Sequence, residues 1–259
     1  MTLVWLSDLR LNATLSGPPD AAPVILIHGL GLGAGLWDGL LPTLARFRVL
    51  TLDLRGHGAS DTPPPPYALG ALIRDVERLA DHFALREAVV VGQGEGGLIA
   101  QGLAVKRLDL VRALVLTGSA TRLGNPDWWQ ARIARQHEHG PDPDADCAAL
   151  LGPRWKHQPA AGPLRAMLDQ TRPEGWQGLA AAVATADLYQ PTATLTLPTL
   201  VLAGGEDRKV PPDMQRETAD LIAGSEFRVL PGLPHLSMLT DPARFGAALG
   251  DFLTRIGHG

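Results

Sequence analysis

Along this chain short apolar runs recur, and each one stops at turn residues. Pro23–Ile27 ends at His28-Gly29, Arg48–Leu52 at Asp53, Ala88–Val91 at Gly92, Ala113–Leu116 at Thr117-Gly118, Thr199–Leu202 at Gly204-Gly205 and Phe227–Leu230 at Pro231-Gly232. The runs are rich in β-branched residues and scarcely alternate with polar ones, as strands buried on both faces of a parallel sheet do. Helical spacings lie between them. Leu69, Leu72, Ile73, Val76, Leu79, Ala80 and Phe83 share one helix face, Leu98, Ile99 and Leu103 continue a second, and Phe245, Leu249, Phe252, Leu253 and Ile256 mark a third. Strand alternating with helix predicts an α/β fold with a doubly wound, mostly parallel sheet. Leu3–Leu6 and Arg10–Leu15 read as an antiparallel hairpin at its edge, which brings the sheet to about eight strands.

One stretch breaks the alternation. From Thr121 to Pro198 no strand is evident, and four of the six tryptophans fall there, Trp128, Trp129, Trp155 and Trp176. It reads as a helical insertion, a lid over the sheet. Residues 1–120 and 199–259 then form the core and residues 121–198 the lid. There is no internal repeat, and the Pro63–Pro66 run is a short stiff loop between a strand and a helix.

Composition narrows the partners. With 45% hydrophobic and 19% charged residues the chain is globular. A formal net charge of -4 gives no electrostatic footprint for nucleic acid. No run approaches the roughly 20 apolar residues of a membrane span. Cys147 is the single cysteine, so no internal disulfide forms, and Met1–Asn12 lacks the basic-then-apolar pattern of a leader. These features fit a cytoplasmic protein acting on a small molecule, without a membrane or nucleic-acid partner.

The chemistry gathers at strand ends. Gly92-Gln93-Gly94-Glu95-Gly96-Gly97 follows a strand and opens a helix. The residues alone leave two readings open. Gly92, Gly94 and Gly97 fit the spacing of a dinucleotide loop, but the motif follows a late strand, no acidic strand-end residue comes about 20 positions on, and Glu95 would repel a pyrophosphate. The alternative is the sharp strand-to-helix turn G-x-S-x-G that presents a nucleophile.

On the second reading the chain resembles the α/β-hydrolase family, and within it the small-lid esterases and enol-lactone hydrolases. Five segments carry the resemblance, in order: His28-Gly29-Leu30-Gly31 with Trp37 downstream, Asp53-Leu54-Arg55-Gly56-His57-Gly58-Ala59-Ser60, the turn around Gly94, Gly204-Gly205-Glu206-Asp207 with Pro211, and Pro231-Gly232-Leu233-Pro234-His235. The resemblance implies that Asp207 orients His235, that His235 is the base, and that the backbone N–H groups of Leu30 and Glu95 form an oxyanion hole. It implies no cofactor and no metal. Substrate contacts are expected from His28, Trp128 and Trp129, and from Trp37, for which packing is the favoured role. Independently of any family, His28, Gly94, Asp207 and His235 all follow predicted strand ends, where function gathers in parallel sheets. Taken singly, Asp207 also reads as a helix N-cap and His235 as a packed turn histidine.

The departure is Gly94, which stands where the serine nucleophile is expected. Glycine cannot attack a carbonyl. It does adopt freely the left-handed backbone that strains other residues by roughly 1–3 kcal/mol. Gly94 therefore keeps the turn and relaxes it. A protein that works without serine and a serine-deleted trap share this sequence. Glu95 is expected to pack sideways, Ser119 lacks the turn of a nucleophile, and His137, Glu138 and His139 read as a solvated helix face. The reading that follows is a hydrolase of a small ester or lactone in which His235 activates water beside Gly94. A lyase, decarboxylase or cofactor-free oxygenase is the alternative enzyme, and a catalytically silent ligand-binding protein the alternative to an enzyme.

Overall fold

The computed structural model describes residues 2–259. Its strands are β1 (Thr2–Leu6), β2 (Leu9–Ser16), β3 (Pro23–Ile27), β4 (Arg48–Leu52), β5 (Ala88–Gln93), β6 (Val111–Thr117), β7 (Thr199–Gly204) and β8 (Glu226–Leu230). They form one sheet in the order β1-β2-β4-β3-β5-β6-β7-β8. β2 runs antiparallel to both β1 and β4, and every other pair is parallel. The expected sheet and edge hairpin are both present.

The apolar runs are continuous because both faces of the sheet are covered. Ile25 and Ile27 of β3 join Val90, Leu114 and Leu116 in one core cluster, while Val24 and Leu26 join Val89, Val91 and Val115 in the other. The first cluster is closed by α1 (Leu69–His82) and α2 (Glu95–Lys106). Helix α2 is buried from Glu95 to Ala104, so it shows almost no polar face, and three apolar positions were all its pattern offered.

Between β6 and β7 lie only helices: α3 (Pro126–His139), α4 (Pro143–Trp155), α5 (Ala161–Gln170), α6 (Pro173–Ala184) and the single turn α7 (Tyr189–Thr192). After β7 come α8 (Pro212–Leu221), the turn α9 (Ser237–Thr240) and α10 (Pro242–Arg255). Much of the proline content sits at helix starts. Pro126, Pro143 and Pro242 each open a helix behind a side-chain cap, from Asn125, Asp142 and Asp241. A proline there lacks only an N–H that the helix leaves unpaired anyway.

Candidate active site

The turn from β5 into α2 is tight for a stated reason. A Cβ on Gly92 would lie 2.6 Å from the Gly96 carbonyl oxygen, and one on Gly96 would lie 2.5 Å from the Ile27 and His28 carbonyls. Only glycines let α2 start this close to β3 and β5. Gly94 sits at the apex with φ 56 and ψ -122, and its N–H donates to the Thr117 carbonyl at 3.0 Å. A Cβ there would meet only ordinary contacts: His235 Nε2 at 3.7 Å, Gly29 Cα at 3.8 Å and the Gly118 carbonyl at 3.9 Å.

His235 comes to this point from the turn after β8, and Asp207 from the turn after β7. His235 Nδ1 donates to Asp207 Oδ2 at 2.8 Å, with both side chains buried. The other ligands of Asp207 fix it in place. Oδ1 accepts from the Lys209 and Val210 N–H groups at 2.9 Å each, and Oδ2 also accepts from Gln215 Nε2 at 3.1 Å. Gln215 in turn accepts from the Gly118 N–H at 2.9 Å. Gly118, at φ 55, is obligatory: a Cβ would lie 2.7 Å from His235 Cε1. The second ring nitrogen, Nε2, accepts from Gln93 Nε2 at 2.8 Å, while Gln93 Oε1 is buried without a partner.

Glu95 does not pack sideways as expected. Its carboxylate folds back so that Oε2 accepts from the Leu30 N–H at 2.8 Å, and Oε1 meets Lys209 Nζ at 3.2 Å. Burial pushes its pKa up, but Lys209, the Leu30 N–H and its own N–H outweigh burial and bring it down to about 2. The Leu30 N–H that the resemblance assigns to an oxyanion hole is therefore already bonded.

A cavity of about 590 Å³ opens onto Gly94, Glu95, Leu30 and Lys209, and Trp128, Trp129 and Trp176 from the helical segment form part of its wall. The guanidinium of Arg132 lies 5.3–5.9 Å from all three indole rings and bonds Asp146 at 2.7 Å. Trp128 is half-exposed and Trp129 buried.

Two expected contacts are absent from this cavity. His28 is fully buried, with Nδ1 against the Gly29 carbonyl at 2.7 Å and Nε2 accepting the Leu54 N–H at 2.9 Å. It ties the loop after β3 to the Asp53 turn, and both nitrogens are spent doing so. Burial lowers its pKa and keeps it neutral. His57 does the same from the other side, accepting the Gly31 N–H at 3.1 Å, and burial with His28 nearby brings its pKa to about 3. Trp37 is fully buried in the second core cluster. The Asp53 turn is a brace too: its carboxylate accepts from the Ala34 and Ala59 N–H groups and from Asn12 at 2.7–3.0 Å. Ser119 is fully buried, and its hydroxyl fills the space beside Gly97 and not the cavity. His137, Glu138 and His139 are exposed on α3. Lys209 and Gln215 carry no spacing signal in the sequence, and Gln93 and Gly118, though they lie in strand-end turns, carry none for a role beside His235.

The model of the family described as alpha/beta hydrolase fold matches residues 22–242. The chain is 29% identical over 256 residues to a 3-oxoadipate enol-lactonase 2 from Acinetobacter baylyi, covering 96% of this chain and 94% of that relative. It superposes on a hydrolase from Pseudomonas aeruginosa with a TM-score of 0.93 at 33% identity, covering 97% of each chain. The enol-lactonase from Burkholderia xenovorans gives a TM-score of 0.93 at 28% identity, covering 98% of this chain and all of that one (100%).

Proposed function

This chain belongs to the α/β-hydrolase fold family, and from that premise we propose that it hydrolyses a small carboxylic ester or lactone using water beside Gly94 as the nucleophile. One observation carries the reading: a buried Asp207–His235 pair at 2.8 Å turns the Nε2 edge of the ring, which Gln93 holds, towards the side-chain space that Gly94 leaves, 3.7 Å from where a Cβ would stand.

Asp207 holds the proton on Nδ1, which leaves the Nε2 lone pair as the base. Nε2 takes a proton as the water oxygen bonds to the carbonyl carbon. The tetrahedral intermediate then expels its alkoxide, which recovers the proton from Nε2, so an ester gives an acid and an alcohol and a lactone gives one hydroxy acid. Gln93 must yield Nε2 to the water. Once the ring is protonated, the amide can turn over and offer Oε1 as acceptor. Glu95 is a poor base because its pKa is about 2, far from neutral pH. Residues 121–198 act as the lid, with Trp128 and Trp129 supplying apolar substrate contact. Without a covalent step the enhancement to expect is about 10³–10⁴ over water.

A silent ligand-binding protein is the second reading, favoured because Nε2 and the Leu30 N–H are both already bonded within the chain. The test is a panel of aryl esters and lactones with the wild type, His235→Ala and Asp207→Asn. The hydrolase reading requires turnover that falls at least about 10²-fold in His235→Ala. Ligands that raise Tm without turnover would favour the binder.

A further inference from the structure

A carboxylate sits where a developing oxyanion would have to sit. Glu95 Oε2 is 2.8 Å from the Leu30 nitrogen, and the side chain is 1% exposed. Glu95, Leu30, Lys209 and Gly94 border one cavity, so both partners of this ion pair line the ligand space. Lys209 is the more exposed partner, with 21% of its side chain accessible, and its long stem lets the ammonium follow a moving carboxylate.

The folded-back position needs a glycine at position 29. A Cβ there would lie 2.7 Å from Glu95 Oε2 and 2.6 Å from Gln93 Oε1, so both oxygens occupy space that a side chain would close. Gln93 Oε1 has no donor there. The carboxylate also blocks the chemistry just proposed, since negative charge growing on a substrate oxygen at Leu30 would meet a fixed negative charge.

We propose that Glu95 is a tethered, displaceable ligand of this chain's own oxyanion position. In the free protein it holds the Leu30 N–H. A ligand carbonyl or carboxylate oxygen entering there displaces it onto Lys209. The inference rests on the hydrolase reading of the Gly94 turn, and it sets selectivity: a ligand must outcompete an internal carboxylate. A charge-assisted hydrogen bond of this kind corresponds to about 10- to 100-fold in apparent affinity.

The test uses formate as the probe and the Leu30 backbone amide as the reporter, by NMR titration of the full chain with no turnover involved. Glu95→Ala is expected to bind formate about 10- to 100-fold more tightly than the wild type. Its Leu30 amide should start shifted from the wild-type position and return towards it as formate saturates. Adding Lys209→Ala should weaken that binding. If Glu95→Ala does not fold, Glu95→Gln, which keeps the shape and removes the charge, carries the same comparison and should also bind more tightly than the wild type. Formate binding no tighter in the variant that folds, or binding that leaves the Leu30 amide unmoved, overturns the proposal. Failure of the hydrolase reading would appear separately, as turnover indifferent to His235→Ala.

Discussion

Gly94→Ser is the perturbation with the most to say. The side chain has room, since its Cβ would meet His235 Nε2 at 3.7 Å and nothing closer. The hydroxyl, one bond further out, competes with Gln93 for Nε2. The backbone objects, because φ 56 and ψ -122 cost a non-glycine residue about 1–3 kcal/mol. For a chain of this size that lowers Tm by about 2–12 °C. The catalytic gain is set by what the nucleophile supplies beyond the rest of the site, about 10⁶ in rate. One oxyanion donor is worth about 10²–10³. With the Leu30 N–H held by Glu95, the single variant should therefore fall short of that gain by about 10²–10³, and Gly94→Ser with Glu95→Ala should recover the remainder. The assay is p-nitrophenyl acetate cleavage in the pre-steady state, with intact-mass detection of acylated protein. Acylation in both variants at equal rates would refute the masking by Glu95. No acylation in either would refute the placement of a nucleophile turn at Gly94.

Other consequences are equally concrete. His57 is neutral in the fold with a pKa of about 3, whereas an unfolded histidine titrates near 6.5, so its contribution is full above pH 6.5 and is lost as pH falls towards 3. Denaturant melts should show unfolding free energy falling with acid by about 1.4 kcal/mol per pH unit from this residue, and His57→Gln should flatten the slope. An unchanged slope would contradict the neutral brace. Lys209→Ala leaves the buried Glu95 carboxylate without its cation and should cost about 2–3 kcal/mol, largely relieved in the double variant with Glu95→Gln; additive losses would show that the pair is not coupled. Gly118→Ala forces a Cβ to within 2.7 Å of His235 Cε1 and should lower turnover about 10²-fold by displacing the ring, and full activity would mean that the ring position is not critical.

The sheet was legible because its strands are buried on both faces, which leaves continuous apolar runs in the sequence. Asp207 and His235 were legible as an ordered pair of strand-end turns, and the structure brings them to 2.8 Å. Strand-end position also misled. His28 has that position, yet its ring braces backbone. Trp37 packs in the core, the role favoured for it. The partners that shape the site were silent for a geometric reason. Glu95 and Lys209 meet across 114 positions of chain, and Gln93 and His235 across 142, so no local spacing encodes either contact. The course of the Glu95 side chain was illegible for the same reason, because it depends on the bare Cα of Gly29.

The central claim is that His235 drives a direct attack by water beside Gly94. Pre-steady-state hydrolysis of p-nitrophenyl acetate and a simple lactone by the wild type, with quenched samples weighed intact, tests it most directly. The account predicts a linear onset, no acylated protein and turnover that collapses in His235→Ala. A burst with an acyl adduct, or turnover that survives His235→Ala, would contradict it.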